Sequence, residues 1–332
     1  MSAVLDLQEF FRTLVLPAPD PDRASYAAIP IPGSPHRLAK DSAGAPCLLV
    51  VQRSDERSAP PIVLENLTVR YDVECKVRRP NGAHEEGRFT ILSCATTDPS
   101  LFPHFLTVLS PLVASLGPTP TGAAVRRMIS SLVELFRAIA APGKKVIQGL
   151  WAELFLIRNA QDCSAMARAW HRSAGERFDF AAGSQRLEVK SSSSRHRQHQ
   201  FSLHQLKPPQ GTQLVVGSLF VERSGGGLTL GRIFRDIRGG LPDAEAIAAF
   251  DATFYSSLGS AFSTAMSESY DEELARESVR YYSAESIPTL TQPIPSSISD
   301  VRFAADLSSV APLTDEELAT RGDLFAAVGR AK

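Results

Sequence analysis

Residues 179–190 carry the pattern that most constrains the fold. Asp179 lies between Phe178 and Phe180, a Gly183-Ser184 turn follows, and then comes Leu187-Glu188-Val189-Lys190. Alternation of apolar and charged residues has the two-residue period of a half-buried strand. Leu187 and Val189 share one face, and Glu188 and Lys190 share the other. A hairpin at the Gly-Ser turn would bring Asp179 near both charges. Two carboxylates and a lysine converging at a strand end suit a magnesium site for phosphodiester hydrolysis.

The 332 residues make one large domain or two ordinary ones, and 43% hydrophobic content supports a packed core. Thirty-five basic and 36 acidic residues leave a net charge of −1. This excludes a polycation that coats nucleic acid by bulk charge, so any such contact must come from a local patch. Cys47, Cys75, Cys94 and Cys163 show no C-x-x-C spacing. Their scatter fits small buried thiols in a reducing cytoplasm. The early acids Asp6 and Glu9, without a basic stretch, argue against a signal peptide. No apolar run reaches the roughly 18 residues of a membrane span.

The expected architecture is α/β of the α+β kind. It opens with a short helix from Leu5 to Leu16 and a coil punctuated by Pro17, Pro19, Pro21, Pro30, Pro32 and Pro35. Strands are expected at 47–52, 67–78 and 89–94, with Pro80-Asn81-Gly82 as a turn, so residues 1–98 form an N-terminal antiparallel β-rich region. From residue 99 to 260 the period becomes helical, with helices from Phe102, over about 122–141 and from Val146 to Ile157, and a stop at Pro142-Gly143. The 179–190 strand follows, then a helical turn at Phe201–Leu206, a buried strand at Gln213–Val221, a Gly225-Gly226-Gly227 loop and helices at 228–237 and 243–258. A tail, 261–332, holds short strands at 278–286 and 301–307 and a helix opening at Asp315.

The order of helix, hairpin with D…ExK, helix and strand resembles the PD-(D/E)xK nuclease superfamily. Asp179 stands as the motif aspartate and Glu188-Val189-Lys190 as the ExK, with Phe178 where proline is usual. Gly149 to Leu206, including Trp170, is similar to an uncharacterised bacterial PD-(D/E)xK-motif family found beside restriction and phage-defence genes. The resemblance implies a restriction-endonuclease-like mixed central sheet flanked by helices. It implies Asp179, Glu188 and the Val189 carbonyl as ligands of Mg²⁺, with Mn²⁺ as a substitute, Glu153 as the ligand of a second metal or the holder of a metal-bound water, and Lys190 and Gln205 beside them. A free lysine is too basic to take a proton at neutral pH, which favours Lys190 as a group that positions water and offsets phosphate charge.

Each residue also has a plainer reading. E-x-K on a strand arises by chance, and its gain in meaning comes from Asp179 and the Glu153 helix around it. Glu153 could be the polar side of an otherwise apolar helix, and Gln205 an ordinary surface amide. Downstream, Ser191, Ser192, Arg195 and Arg197, with Arg186 and Lys207, could contact DNA phosphates or form a solvated loop. His196 and His199 lack partners for a zinc site. Trp151 and Trp170 read as packing residues.

Two functions compete. One is a Mg²⁺-dependent DNA endonuclease in a restriction or defence module, a homodimer being in keeping with nucleases that cut both strands. The other is a non-catalytic subunit that keeps the nuclease fold for DNA binding or as an adaptor. No ATPase or methyltransferase motif is present, so an ATPase, helicase or methyltransferase would be a separate partner.

Overall fold

The computed structural model describes residues 6–17, 24–51, 60–96, 99–140, 147–171, 177–290, 295, 298 and 301–329. Leu5, Pro19, Pro21, Gln52, Ala141, the Pro142-Gly143 stop and Val146 lie outside the described residues. The chain is α+β, with two compact units, 1–143 with 242–263 and 144–241 with 264–332. These divisions fall at other places than 98 and 260, because the helix Ala244–Leu258 returns to pack on the helices Phe102–Leu116 and Gly122–Ala140. Among the described residues, no helix is long and apolar enough to cross a membrane.

The first unit holds a sheet in the order Ser25–Pro30, Arg37–Lys40, Pro46–Val51, His84–Cys94, Leu67–Arg78, Ile62–Val63. Two of these strands occupy the stretch expected as Pro-rich coil. Antiparallel pairing of Ala27–Pro30 with Arg37–Lys40, and of Arg37–Lys40 with Pro46–Leu49, overrides the local turn signals. The sheet closes on itself through a parallel pairing of Ser25–Ala27 with Lys76–Arg78. A one-residue shift of register between Arg70 and Val73, with Asp72 at φ +52°, adds the local twist that closure needs. Tyr26, Cys47, Leu49, Cys75, Val77, Phe89 and Ile91 form a buried core inside it.

The second unit is built on a four-stranded sheet in the order Arg280–Ser283, Gln213–Phe220, Gln185–Ser192, Phe180–Ala182. The middle pair is parallel and the two outer pairs are antiparallel. Gly183, at φ +52°, permits the two-residue turn between Ala182 and Gln185. The helix Ile147–Arg158 packs against the strand Gln185–Ser192, and Leu150 to Ile157 are all buried. A helix buried all round needs an internal partner for any charge it carries, and here that charge is Glu153.

Two other expectations differ in detail. Gln198–Ser202 is a strand paired with Arg302–Asp306, and only Leu203–Leu206 forms the helical turn. The three glycines at 225–227 lie in a strand, Arg223–Thr229, with a bulge opposite Tyr270. The missing side chain of Gly227 admits a close approach: a Cβ there would stand 2.1 Å from the Tyr270 carbonyl oxygen. Leu228 beside it accepts a hydrogen bond from Trp151 Nε1 at 2.9 Å, which anchors the Glu153 helix.

Candidate active site

The hairpin and the helix bring Glu153, Asp179, Glu188, Val189, Lys190 and Gln205 together. Asp179 stands next to the first strand of the hairpin and faces back to the second. Its Oδ2 accepts the backbone N–H of Val189 at 2.8 Å. The motif aspartate is thus tied to the middle of the E-x-K segment.

Glu188 is buried, with 4% of its surface exposed. Its Oε1 pairs with Lys190 Nζ at 2.8 Å and accepts from Gln205 Nε2 at 2.6 Å. Its Oε2 is buried with no hydrogen-bond partner among the described residues. Burial, then the negative charge of Asp179, pushes the Glu188 carboxyl up to about 8, against the opposing pull of Lys190. An unpaired buried carboxylate oxygen is costly unless a cation meets it. Lys190 is itself confined, its ammonium 5.1 Å from the centre of the Phe201 ring.

Gln205 is not a free surface amide. Its Oε1 accepts from the Ser202 backbone N–H, and its own N–H donates to Ser202 Oγ, a reciprocal cap for the turn Leu203–Leu206. That cap fixes the amide so that Nε2 reaches Glu188.

Glu153, 4% exposed, accepts from Trp170 Nε1 at 2.8 Å through Oε2. The same oxygen lies 3.1 Å from His171 Nε2. His171 was not singled out by sequence, since it sits in a short connection with no periodicity and its only signal was nearness to Asp179. Its backbone N–H bonds to the Asp179 carbonyl at 3.1 Å, and a bridge between Trp170 and Phe180 aligns the two segments. His171 Nε2 lies 3.8 Å from Asp179 Oδ1. One ligand atom each from Glu153, His171 and Asp179 falls within 4.8 Å of the others, a spacing that a metal ion can bridge.

The expected DNA-contact residues are dispersed along and beyond this strand. Arg186 folds back on the hairpin turn, donating to the Gly183 and Gln185 carbonyls. Ser191 accepts from Gln148 of the Glu153 helix, and Ser192 bonds to Ser194. Arg195, at φ +55°, forms an exposed pair with Glu222. Arg197 donates to Ser218 and to the Ser278 carbonyl, with its guanidinium 4.6 Å from the centre of the Phe220 ring. Lys207 is exposed. His199 is buried and meets Ser218 Oγ at 2.8 Å, a structural contact. Trp151 and Trp170 are both buried, as packing residues.

The model of the family described as "Putative PD-(D/E)XK family member, (DUF4420)" matches residues 7–308. No curated protein and no solved structure matches the chain.

Proposed function

Because this chain belongs to that PD-(D/E)XK family, we propose that it is a metal-dependent DNA endonuclease whose centre is Asp179, Glu188 and Lys190. The observation that carries this reading is Glu188: one oxygen is held by Lys190 and Gln205, and the other is buried and unmatched. Such a carboxylate, beside Asp179, fits a divalent cation, with Mg²⁺ the first candidate and Mn²⁺ the second. When bound, the ion supplies Lewis-acid chemistry: neutralisation of a phosphoryl oxygen and a more acidic water.

The side chains have distinct tasks. Asp179 and Glu188 would hold the ion, with Glu153 and the Val189 carbonyl as further oxygen donors. Gln205 keeps Glu188 oriented through Oε1. Lys190, paired with Glu188, would orient the attacking water and offset phosphate charge. Lys207 and Arg186, with the Ser191 and Ser192 hydroxyls, would contact backbone phosphates, and the Arg195 and Arg197 contacts shape the segment that follows the strand. A role in restriction or phage defence belongs to the same reading, with any ATPase, helicase or methyltransferase as a separate chain.

The test is nicking of supercoiled plasmid by the purified protein with Mg²⁺ or Mn²⁺, beside Glu188→Ala and Lys190→Ala. Cleavage by the wild type alone supports the proposal. Equal cleavage by all three removes it. Binding of DNA without cleavage or metal dependence would favour the non-catalytic subunit instead.

A further inference from the structure

The carboxylate and lysine chemistry above makes no use of His171. The residue nevertheless has a costly conformation and a fixed place. Its backbone takes φ +40°, a region few non-glycine residues adopt. The bond from its N–H to the Asp179 carbonyl and the Trp170–Phe180 bridge hold it there. The result is an imidazole nitrogen between two carboxylates, 3.1 Å from Glu153 Oε2 and 3.8 Å from Asp179 Oδ1. The tryptophan before it donates to that same Glu153 oxygen, so the glutamate is aimed from both sides. Beside this group, and acted on by the charges of Asp179 and Glu153, Glu188 has a buried Oε2 that lacks a partner among the described residues, a second sign of a ligand.

We propose that His171 is a nitrogen ligand to the divalent ion, together with Glu153 and Asp179, and that it biases the site toward Mn²⁺ over Mg²⁺. This rests on the metal-dependent reading given above. Mg²⁺ is a hard cation that takes oxygen ligands and gives up its waters reluctantly. An imidazole in the ligand set shifts the balance toward first-row transition ions. Ligation uses the neutral ring with its proton on Nδ1; a proton on Nε2 moves to Nδ1 or is released to solvent. Glu153 would meet the ion through the oxygen that faces His171 Nε2 and would keep the Trp170 bond.

The experiment is titration of the metal-free full chain with Mn²⁺, followed by melting temperature and by electron spin echo envelope modulation. The wild type should show ¹⁴N modulation of an imidazole ligand, replaced by the ¹⁵N pattern when the protein is made with ¹⁵N-histidine. His171→Asn should lose it, asparagine being a residue that tolerates positive φ. The preference for Mn²⁺ over Mg²⁺, read from the two metals' stabilisation curves, should shrink about tenfold or more in that variant. The labelled wild type needs no substitution, so the result stands even where the variant fails to fold. Mn²⁺ bound without histidine modulation, or with modulation that persists in a folded His171→Asn, overturns the role of His171 and leaves the metal site intact. No Mn²⁺-linked rise in melting temperature for the wild type overturns both.

Discussion

Val189 donates its backbone N–H to Asp179 Oδ2 at 2.8 Å, so the strand that carries Glu188 and Lys190 also holds the motif aspartate. The contact separates the structural role of Asp179 from its charge. Asp179→Asn keeps an acceptor oxygen for Val189 and should melt close to the wild type, yet lose metal-linked stabilisation and cleavage. Asp179→Ala should lose both, and also about 1 kcal/mol of stability for the missing bond. Urea unfolding with a parallel metal titration separates the two variants. An Asp179→Asn protein that cleaves normally would refute the ligand role.

Gln205 ties the cap of a helical turn to Glu188 Oε1. Gln205→Ala should cost about 1–2 kcal/mol, the usual cost of a lost cap, and lower turnover by loosening Glu188. Gln205→Glu preserves the acceptor for the Ser202 N–H but sets a second carboxylate against Glu188. Its deficit in stability should therefore widen as pH rises, which a series of thermal melts will show. A deficit independent of pH would mean that Glu188 does not feel residue 205.

Two sets of groups give stability opposite pH slopes. Burial holds His36, His104 and His199 down to about 4. Their folded values lie below the ordinary value near 6.5, so their contribution is present above that pH and is lost as pH falls toward 4. Burial and Asp179 raise Glu188 from 4.5 to about 8, so its contribution is present below 4.5 and is lost as pH rises through 8. In EDTA, melting temperature should fall on both sides. Glu188→Gln should flatten the alkaline side, and so should a divalent cation added to the wild type. Equal alkaline loss in Glu188→Gln and the wild type would contradict this assignment.

The parts of the site that follow a local period were legible in the sequence. Glu188 and Lys190 alternate with buried Leu187 and half-buried Val189, and a Gly-Ser turn of two residues folds Asp179 back toward them. Glu153 is on a helix whose neighbouring residues, Leu150 to Ile157, are otherwise apolar. His171 was not legible, because its placement depends on a bridge to Phe180 and a left-handed backbone that no periodicity encodes. Arg195 and Arg197 read as a basic patch, whereas Glu222 and the Ser218 and Ser278 oxygens engage them from distant segments. The same limit explains the strands at 25–30 and 37–40 and the return of 244–258 to the first unit: each is decided by a partner far along the chain.

Gly227 supplies a test of the scaffold apart from the chemistry. A methyl at this position meets the Tyr270 carbonyl oxygen at 2.1 Å, so backbone must move. Gly227→Ala should destabilise by about 1–3 kcal/mol, in the range of overpacked sites. By shifting Leu228, it should also disturb the Trp151 bond that anchors the Glu153 helix. Gly225→Ala, which meets nothing within 4 Å, should be close to neutral. Chemical denaturation of the pair decides the point, and similar losses in both would argue against the close approach.

In the proposed function, Asp179, Glu188 and Lys190 form a metal-dependent hydrolytic site. Single-turnover cleavage of a duplex DNA by wild type and Glu188→Gln, with Mg²⁺, with Mn²⁺ and with EDTA, tests it most directly. The account predicts cleavage by the wild type only with metal, and a rate at least about a hundredfold lower in the variant while its fold persists by circular dichroism. Cleavage that survives EDTA, or that is unchanged in a folded Glu188→Gln protein, would contradict it.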